Sequence, residues 1–475
     1  MEDYLKKRQD FEREITTAKY NGIAFTPLEE EANKLYRQIL ISERATKDDS
    51  FYKGYTLKHR EQFEKDSRIF KAIQKLPKGA VLHIHTDCCM DIDWFMEELA
   101  YHENTYFNQE TSTFKYFQNA EKAESGFKNL REEREKASDK AQFDAEIRKC
   151  LFVQEEDRLV SKENIWKTFE KKIMSISGVT YFREHFPRYM KRYLENFIKD
   201  GVIHIEARAF LGFSFNEDGS NLSVNEEMEM ISKVLNEVKA EHPYFTFQLV
   251  IQGLKMWDVN QIEQYMRDAL IAKKHHPELI CAFDMVQEED AFKTMVEMAP
   301  ALIKMKEMQA EIGVELPFVF HGGESLHTLK NTNLFDVLLL GTKRIGHGIN
   351  LSQHSYLLEK IKNDEICLEI CPVSNQILKY IDDIRLHPIK TFLNYGVKVS
   401  INPDDPGFFG YNGVSMDFFF VSFGTQLDYK DLKLCAYNSI QYSFLSADQK
   451  KAAWEELEKR FQVWCKWFIE SNPSS

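Results

Sequence analysis

Residues 77–87 read Pro77-Lys78-Gly79-Ala80-Val81-Leu82-His83-Ile84-His85-Thr86-Asp87. A short apolar, β-rich run, Ala80–His85, ends there in two imidazoles at i and i+2, a spacing that puts both on one side of an extended chain. Seven more runs of this kind follow: Val202–Ala207, Phe245–Gln252, Leu279–Asp284, Pro317–His321, Lys343–His347, Ile366–Pro372 and Val397–Asn402. Helical patterns such as Asn225–Lys239, Val259–Lys274 and Phe292–Ile312 fill most of the gaps from the second run onward. Strands alternating with helices build a parallel sheet, and a count of eight predicts an α/β fold of the closed (β/α)8 TIM-type barrel. An open doubly wound sheet is the competing reading, but no G-x-G-x-x-G turn follows the first run.

Two segments do not fit a bare barrel. Residues 1–75 precede the first strand and read as helical, with Phe, Leu and Ile at mixed spacings of three and four. They predict an N-terminal helical extension ahead of a catalytic barrel over 76–475. More than 100 residues separate the first two runs, too many for a βα connection, so an insertion is expected at about 100–180. Within it, Arg131–Lys140 mixes both charges with almost no apolar residue and reads as a solvated helix face or loop. After the eighth run, Met416–Ile469 reads as closing helices. There Trp454, Leu457, Phe461, Trp464 and Phe468 step by three and four and draw one core-facing stripe.

Composition bounds the function. The chain carries 62 Lys+Arg against 75 Asp+Glu, a formal net charge of −13, which argues against nucleic acid as a partner and leaves a neutral nucleoside open. With 43% hydrophobic and 13% aromatic residues there is ample material for a core. The opening residues, MEDYLKKRQDFEREITTAKYNGIAF, are charged throughout, and no segment approaches the roughly 18 continuous apolar residues of a membrane span. The expectation is a soluble, cytoplasmic chain with no membrane partner. Eight cysteines, none in a C-x-x-C pair, predict reduced thiols.

In a barrel of this kind chemistry sits where strands end at the C-terminal face. The first strand ends in His83-Ile84-His85, the fifth in His321-Gly322-Gly323-Glu324, and the sixth in Arg344-Ile345-Gly346-His347-Gly348. The eighth ends in Asn402-Pro403-Asp404-Asp405-Pro406. Any one of these is weak alone, since an H-x-H is often structural and an Asp-Asp-Pro is often a turn. Together, imidazoles and a carboxylate from separate strand ends make a divalent-metal site, with zinc favoured by its preference for nitrogen.

The run from Pro77 to Asp87, the HGGE at 321–324, the RIGHG at 344–348 and the SINPDDP at 400–406 resemble the adenosine deaminase family. Within it, the PKG before the first strand, Trp94 soon after it, the long insertion and the N-terminal helical segment look like the adenosine deaminase-related growth factor branch. The resemblance implies that His83, His85, His321 and Asp404 bind one Zn2+ per chain, leaving a position for water. It implies that Glu324 protonates purine N1 and shuttles protons to the departing ammonia, and that His347 orients the attacking hydroxide. Asp405 would hydrogen-bond purine N7 and Asp87 the ribose 5′-hydroxyl. Trp166 and Glu206 resemble residues that line the nucleoside pocket; Trp166 also reads as helix packing, and Glu206 as an ion-pair partner of Arg208.

The implied activity is hydrolytic deamination of adenosine and 2′-deoxyadenosine to the inosine form and ammonia, as in purine salvage, by a homodimer joined through the N-terminal extension. One departure bears on the substrate. Where the family reads F-D-x-x-G after the fourth strand, with the glycine N–H donating to purine N3, this chain has Phe283-Asp284-Met285-Val286-Gln287. Glutamine keeps the N–H but adds bulk and restricts φ. A deaminase of a modified adenine nucleoside is therefore a second reading. A third is a nucleoside-binding, growth-factor-like signalling protein, which would act outside the cell.

Overall fold

A computed structural model of the chain describes residues 1–20, 23–327 and 329–473. The eight runs become eight parallel strands: β1 (Gly79–Val81), β2 (Val202–Ala209), β3 (Thr246–Leu254), β4 (Ile280–Val286), β5 (Phe320–Gly322), β6 (Arg344–His347), β7 (Cys367–Ile370) and β8 (Lys398–Ile401). Ladders run in the order β1-β2-β3-β4 and β5-β6-β7-β8. Two seams close the ring. Phe283 N–H donates to Pro317 O at 2.9 Å and Val319 N–H to Phe283 O at 3.0 Å, joining β4 to β5. Asp404 N–H donates to His83 O at 3.2 Å and His85 N–H to Asp404 O at 3.3 Å, joining the end of β8 to the end of β1. The fold is the expected (β/α)8 barrel.

β1 is shorter than its apolar run because a side chain takes over its ladder. Asn402 Oδ1 accepts from the N–H of Leu82 at 2.8 Å and of His83 at 3.2 Å. Parallel pairing resumes at Ile84 with Asp404 and at His85 with Arg208. The H-x-H pair is thus held between both neighbouring strands.

Capping chemistry starts the barrel helices where the periodicity predicts. Ser223 and Glu226 form a capping box before Val224–Glu241, and Asp258 and Gln261 another before Val259–His275. The expected helix over 292–312 is instead two, Met295–Leu302 and Met305–Ile312. Pro300 has no N–H to bond back one turn, and the first helix stops two residues later.

Residues before β1 are helical over Glu2–Tyr20, Pro27–Arg44, Arg60–Asp66 and Arg68–Gln74. Pro27–Arg44 lies on the final helix Ala447–Ser471, with the Tyr36 ring 6.0 Å from Phe468. Glu29 is buried there, accepting from Lys433 Nζ at 2.6 Å and Tyr429 OH at 2.7 Å. Of the closing-helix stripe, Leu457, Phe461, Trp464 and Phe468 are buried, while half-buried Trp454 stacks on Tyr437.

Between β1 and β2 the insertion holds what periodicity did not foresee, a three-stranded antiparallel sheet of Thr105–Asn108, Thr113–Tyr116 and Lys128–Asn129. Its strands are two to four residues long, too short for an alternation to register. The charged stretch forms the mostly exposed helix Leu130–Lys136. Helix Lys162–Thr180 then crosses towards the barrel mouth, with Lys162 Nζ 2.6 Å from Asp290 in the loop after β4. All eight cysteines are free thiols. Among the described residues no helix is long and apolar enough to cross a membrane.

Candidate active site

The C-terminal strand ends bring the expected imidazoles together. Ring centroids lie 4.5 Å apart for His83 and His321, 4.7 Å for His83 and His347, and 5.6 Å for His83 and His85. Asp404 Oδ1 is 3.3 Å from His83 Nε2 and 3.4 Å from His85 Nε2, and Asp404 Oδ2 is 3.8 Å from His347 Nε2. Such crowding needs Gly346 on β6. A Cβ there would lie 2.8 Å from His83 Cε1, so any side chain would push the ring out of the cluster. His347 and Asp404 both hold φ of +62°, strained backbone retained at the site itself.

The donor atoms fit a divalent ion. Ligand atoms of His83, His321, His347 and Asp404 all lie within 4.8 Å of one another, and His85, Asp404 and Asp405 form an overlapping group that shares Asp404. The expected ligands His83, His85, His321 and Asp404 are spread over both groups. His83 Nε2 is buried and finds no hydrogen-bond partner among the described residues, the condition of a nitrogen lone pair reserved for a metal.

Outer partners decide which nitrogen of each ring faces inward. His83 Nδ1 lies 2.9 Å from Glu369 Oε2, His321 Nδ1 2.7 Å from Asp284 Oδ2, and His85 Nδ1 2.7 Å from Gln252 Oε1. Each partner accepts the Nδ1 proton and leaves Nε2 free to ligate. Arg208 supports two of the three at once, donating from Nε to Asp284 at 2.7 Å and from Nη2 to Glu369 at 2.8 Å. Burial pushes the Asp284 and Glu369 carboxyls up, but His321 and then Arg208 at Asp284, and Arg208 and Arg344 at Glu369, outweigh it and hold both well below the usual carboxylate range. His321 is driven down to about 3, by burial first, and so stays neutral.

Around this cluster the carboxyls diverge. Burial raises Asp404, but the adjoining imidazoles, His83 first, prevail and hold it well below the usual carboxylate range. Glu324 is pushed well above the usual range by burial and by the nearby charges of Asp404 and Glu289. Asp405 is pushed up likewise, by burial and then by Asp404. One carboxyl held low beside two held high is the divergence found where acid and base roles are divided. Asp87 is also raised by burial, and its Oδ1 has no hydrogen-bond partner among the described residues. Glu324 Oε1 lies 3.3 Å from His347 Nδ1.

Other expected residues sit further out. Trp166, on helix Lys162–Thr180, donates from Nε1 to Tyr380 OH at 3.0 Å and packs on Phe169. Glu206 does not line the mouth, which corrects the expectation for it. Arg208, not Glu206, is level with His85; Glu206 lies one inward layer deeper, bound to Arg344 Nη2 at 2.5 Å, His204 Nε2 at 3.3 Å and Phe444 N at 2.5 Å. Its ion pair is with Arg344 rather than Arg208. Gln287 keeps a φ of +105°, so glutamine does not forbid the glycine-like path; its Oε1 is drawn aside to accept from Met256 N–H at 3.0 Å.

The reading of strand ends missed the groups behind them: Asp284, Glu369, Arg208, Gln252 and Asn375. Their signal is a charged or amide residue inside an otherwise apolar run, as Glu369 is within Ile366–Pro372, since an unpaired charge is not tolerated there.

An eight-stranded barrel whose strand ends converge imidazoles on a carboxylate beside a buried acid defines a metal-dependent hydrolase. A family model described as adenosine deaminase matches residues 150–460. Adenosine deaminase 2 of Dictyostelium discoideum is 31% identical over 429 residues, covering 88% of this chain and 78% of that protein. Adenosine deaminase 2 of Homo sapiens is 30% identical over 411 residues, covering 83% of this chain and 80% of that protein. An amidohydrolase of Burkholderia ambifaria, solved with bound Zn, shares the fold with a TM-score of 0.59 at 15% identity, over 85% of this chain and 95% of that one. The chain belongs to the adenosine deaminase family.

Proposed function

We propose that this chain is a zinc-dependent hydrolase that converts adenosine and 2′-deoxyadenosine to the inosine form and ammonia. The observation that carries the reading is the convergence of His83, His85, His321 and His347 on Asp404, beside the buried carboxyls of Glu324 and Asp405. A purine offers two ring nitrogens, N1 and N7, that accept hydrogen bonds, and two neutral acids are the donors they require. Bound at His83, His85, His321 and Asp404, a divalent ion supplies Lewis acidity, which lowers the pKa of water from about 15.7 towards 7. Three imidazole nitrogens and one carboxylate favour zinc among the candidates.

The chain's own groups divide the remaining work. Glu324 delivers its carboxyl proton to N1 as water attacks C6, carries one water proton to the amine, which leaves as ammonia when the C6–N bond breaks, and recovers the other water proton as C6=O forms. His347 orients the attacking water through Nε2. Asp405 donates to N7, and the unpartnered Oδ1 of Asp87 is an acceptor for the ribose 5′-hydroxyl. Trp166, bonded to Tyr380, and Lys162, held to Asp290, tie helix Lys162–Thr180 to the rim of the barrel. Exposed Tyr4, Leu5, Phe11 and Ile15 on helix Glu2–Tyr20 support a homodimer through that helix.

The test is direct. Purified, zinc-loaded protein should convert adenosine with loss of its absorbance and release of ammonia, and Glu324→Gln should stop turnover. Full activity in that variant would overturn the mechanism. Gln287, held against Met256 beside the expected N3 contact, supports the second reading of a modified adenine nucleoside; higher kcat/KM for an N6- or 5′-modified analogue than for adenosine would favour it. Stoichiometric zinc without turnover of any analogue would favour a nucleoside-binding protein.

A further inference from the structure

Behind His347 and Glu324 lies an amide that none of the strand-end motifs includes. Asn375 is completely buried on the helix Pro372–Ile377 that follows β7. Its Nδ2 lies 3.2 Å from Glu324 Oε1 and 3.2 Å from His347 Nδ1. Its Oδ1 lies 3.3 Å from Nε2 of His387, a buried ring whose Nδ1 in turn accepts from the Ile389 backbone N–H at 3.2 Å.

The direction of every hydrogen bond in this chain follows from its far end. A backbone N–H can only donate, so His387 Nδ1 is bare and the proton of the neutral ring is on Nε2. That N–H donates to Asn375 Oδ1, which turns the two amide protons towards Glu324 and His347. A donor facing His347 Nδ1 requires a bare nitrogen there, and a neutral imidazole then carries its proton on Nε2. This is the opposite tautomer to those of His83 and His321, whose Nδ1 atoms donate to carboxylates.

We propose that Asn375, oriented by His387, is a positioning residue that fixes the His347 proton on Nε2. It thereby makes His347 a hydrogen-bond donor in the site and prevents it from becoming an additional metal ligand. Geometry alone does not separate His347 from the ligands, since its ligand atom falls within the same 4.8 Å group as those of His83, His321 and Asp404. The tautomer does: Nε2 with a proton has no lone pair to offer. The same NH2 group donates to Glu324 Oε1, which lies 3.3 Å from His347 Nδ1, so it bridges two acceptors that would otherwise face each other and leaves Oε2 to carry the proton destined for purine. This inference rests on the deaminase reading for the role of the water that His347 orients, and on the family's metal site for its spectroscopic readout.

The experiment reverses the amide with an isostere. Asn375→Asp presents a carboxylate to His347 Nδ1, draws the proton there and frees Nε2. Wild type, Asn375→Asp, His387→Gln and His387→Leu would each be loaded with Co2+, whose visible absorption weakens as coordination number rises. Zinc forms would be assayed for kcat and KM on adenosine. Expected are weaker Co2+ absorption and a kcat loss of about 100-fold or more in Asn375→Asp, with KM within about threefold. His387→Gln, which retains an N–H for Asn375 Oδ1, should recover most of the kcat that His387→Leu loses. A Co2+ spectrum and kcat unchanged in Asn375→Asp, or equal losses in both His387 variants, would overturn the proposal. If wild type does not deaminate adenosine, the functional reading fails instead, and the Co2+ comparison still decides the tautomer.

Discussion

Asp284 Oδ2 lies 2.7 Å from His321 Nδ1 and also 2.7 Å from Nε of Arg208, so one carboxylate both orients a ring of the candidate metal site and anchors the charge network beneath it. Replacing it with asparagine keeps the shape and removes the charge that holds the Nδ1 proton. Asp284→Asn should weaken zinc affinity by about 10- to 100-fold, as loss of an outer-sphere carboxylate generally does. Competition with a chromophoric chelator measures this without reference to turnover; an unchanged affinity would remove Asp284 from the role.

Arg208 is fully buried and pairs with two ionised carboxylates, Asp284 and Glu369. Arg208→Met leaves both without their shared counter-charge. The expected cost is about 3–5 kcal/mol of stability, seen as a large fall in Tm, because an uncompensated buried charge is the dominant penalty. A fall of only a degree or two would mean the carboxylates find other partners.

The pH profile follows from Glu324 and Asp405, both raised by burial and by Asp404. In the proposed reaction each acts in its protonated form, so kcat/KM should be maintained below their raised pKa values and be lost as pH rises through them. Asp405→Asn retains an N–H donor that cannot titrate. Its alkaline limb should therefore drop from a two-proton towards a one-proton slope, and an identical limb in both enzymes would show that Asp405 does not titrate in this range.

Acid should weaken the seat of the N-terminal helices. Burial pushes Glu29 up, but hydrogen bonds from Lys433, Thr26 and Tyr429 prevail and hold it below its ordinary value. A lowered carboxyl contributes stability above its unfolded pKa, near 4.5, and loses it as pH falls through the folded value. Glu29→Gln should thus be less stable than wild type at pH 7, and the difference should shrink below about pH 4. Thermal melts across that range test the sign.

Gln287 carries its positive φ without the freedom of glycine, at a strain of about 1–3 kcal/mol offset in part by the bond to Met256 N–H. Gln287→Gly should leave the fold intact and raise kcat/KM on adenosine relative to bulkier N6-substituted analogues. A ratio unmoved by the substitution would show that this position does not select the base.

From sequence alone, the barrel and its functional rim were legible. Apolar runs ending in His83, His85, His321, His347 and Asp404 declare themselves because strand burial and strand-end chemistry are local, periodic properties. The N-terminal helices and the closing-helix stripe declare themselves for the same reason. Tertiary structure decided what depends on partners distant along the chain. It moved Glu206 into the interior beside Arg344, joined Arg208 to Asp284 and Glu369, and set Asn375 between Glu324 and His347. A residue's type says which hydrogen bonds it is able to make, but only the packed interior decides which partner removes it from water. That choice raises the carboxyls of Glu324 and Asp405, and it places Asn375 against the His347 ring, on which the proposed tautomer rests.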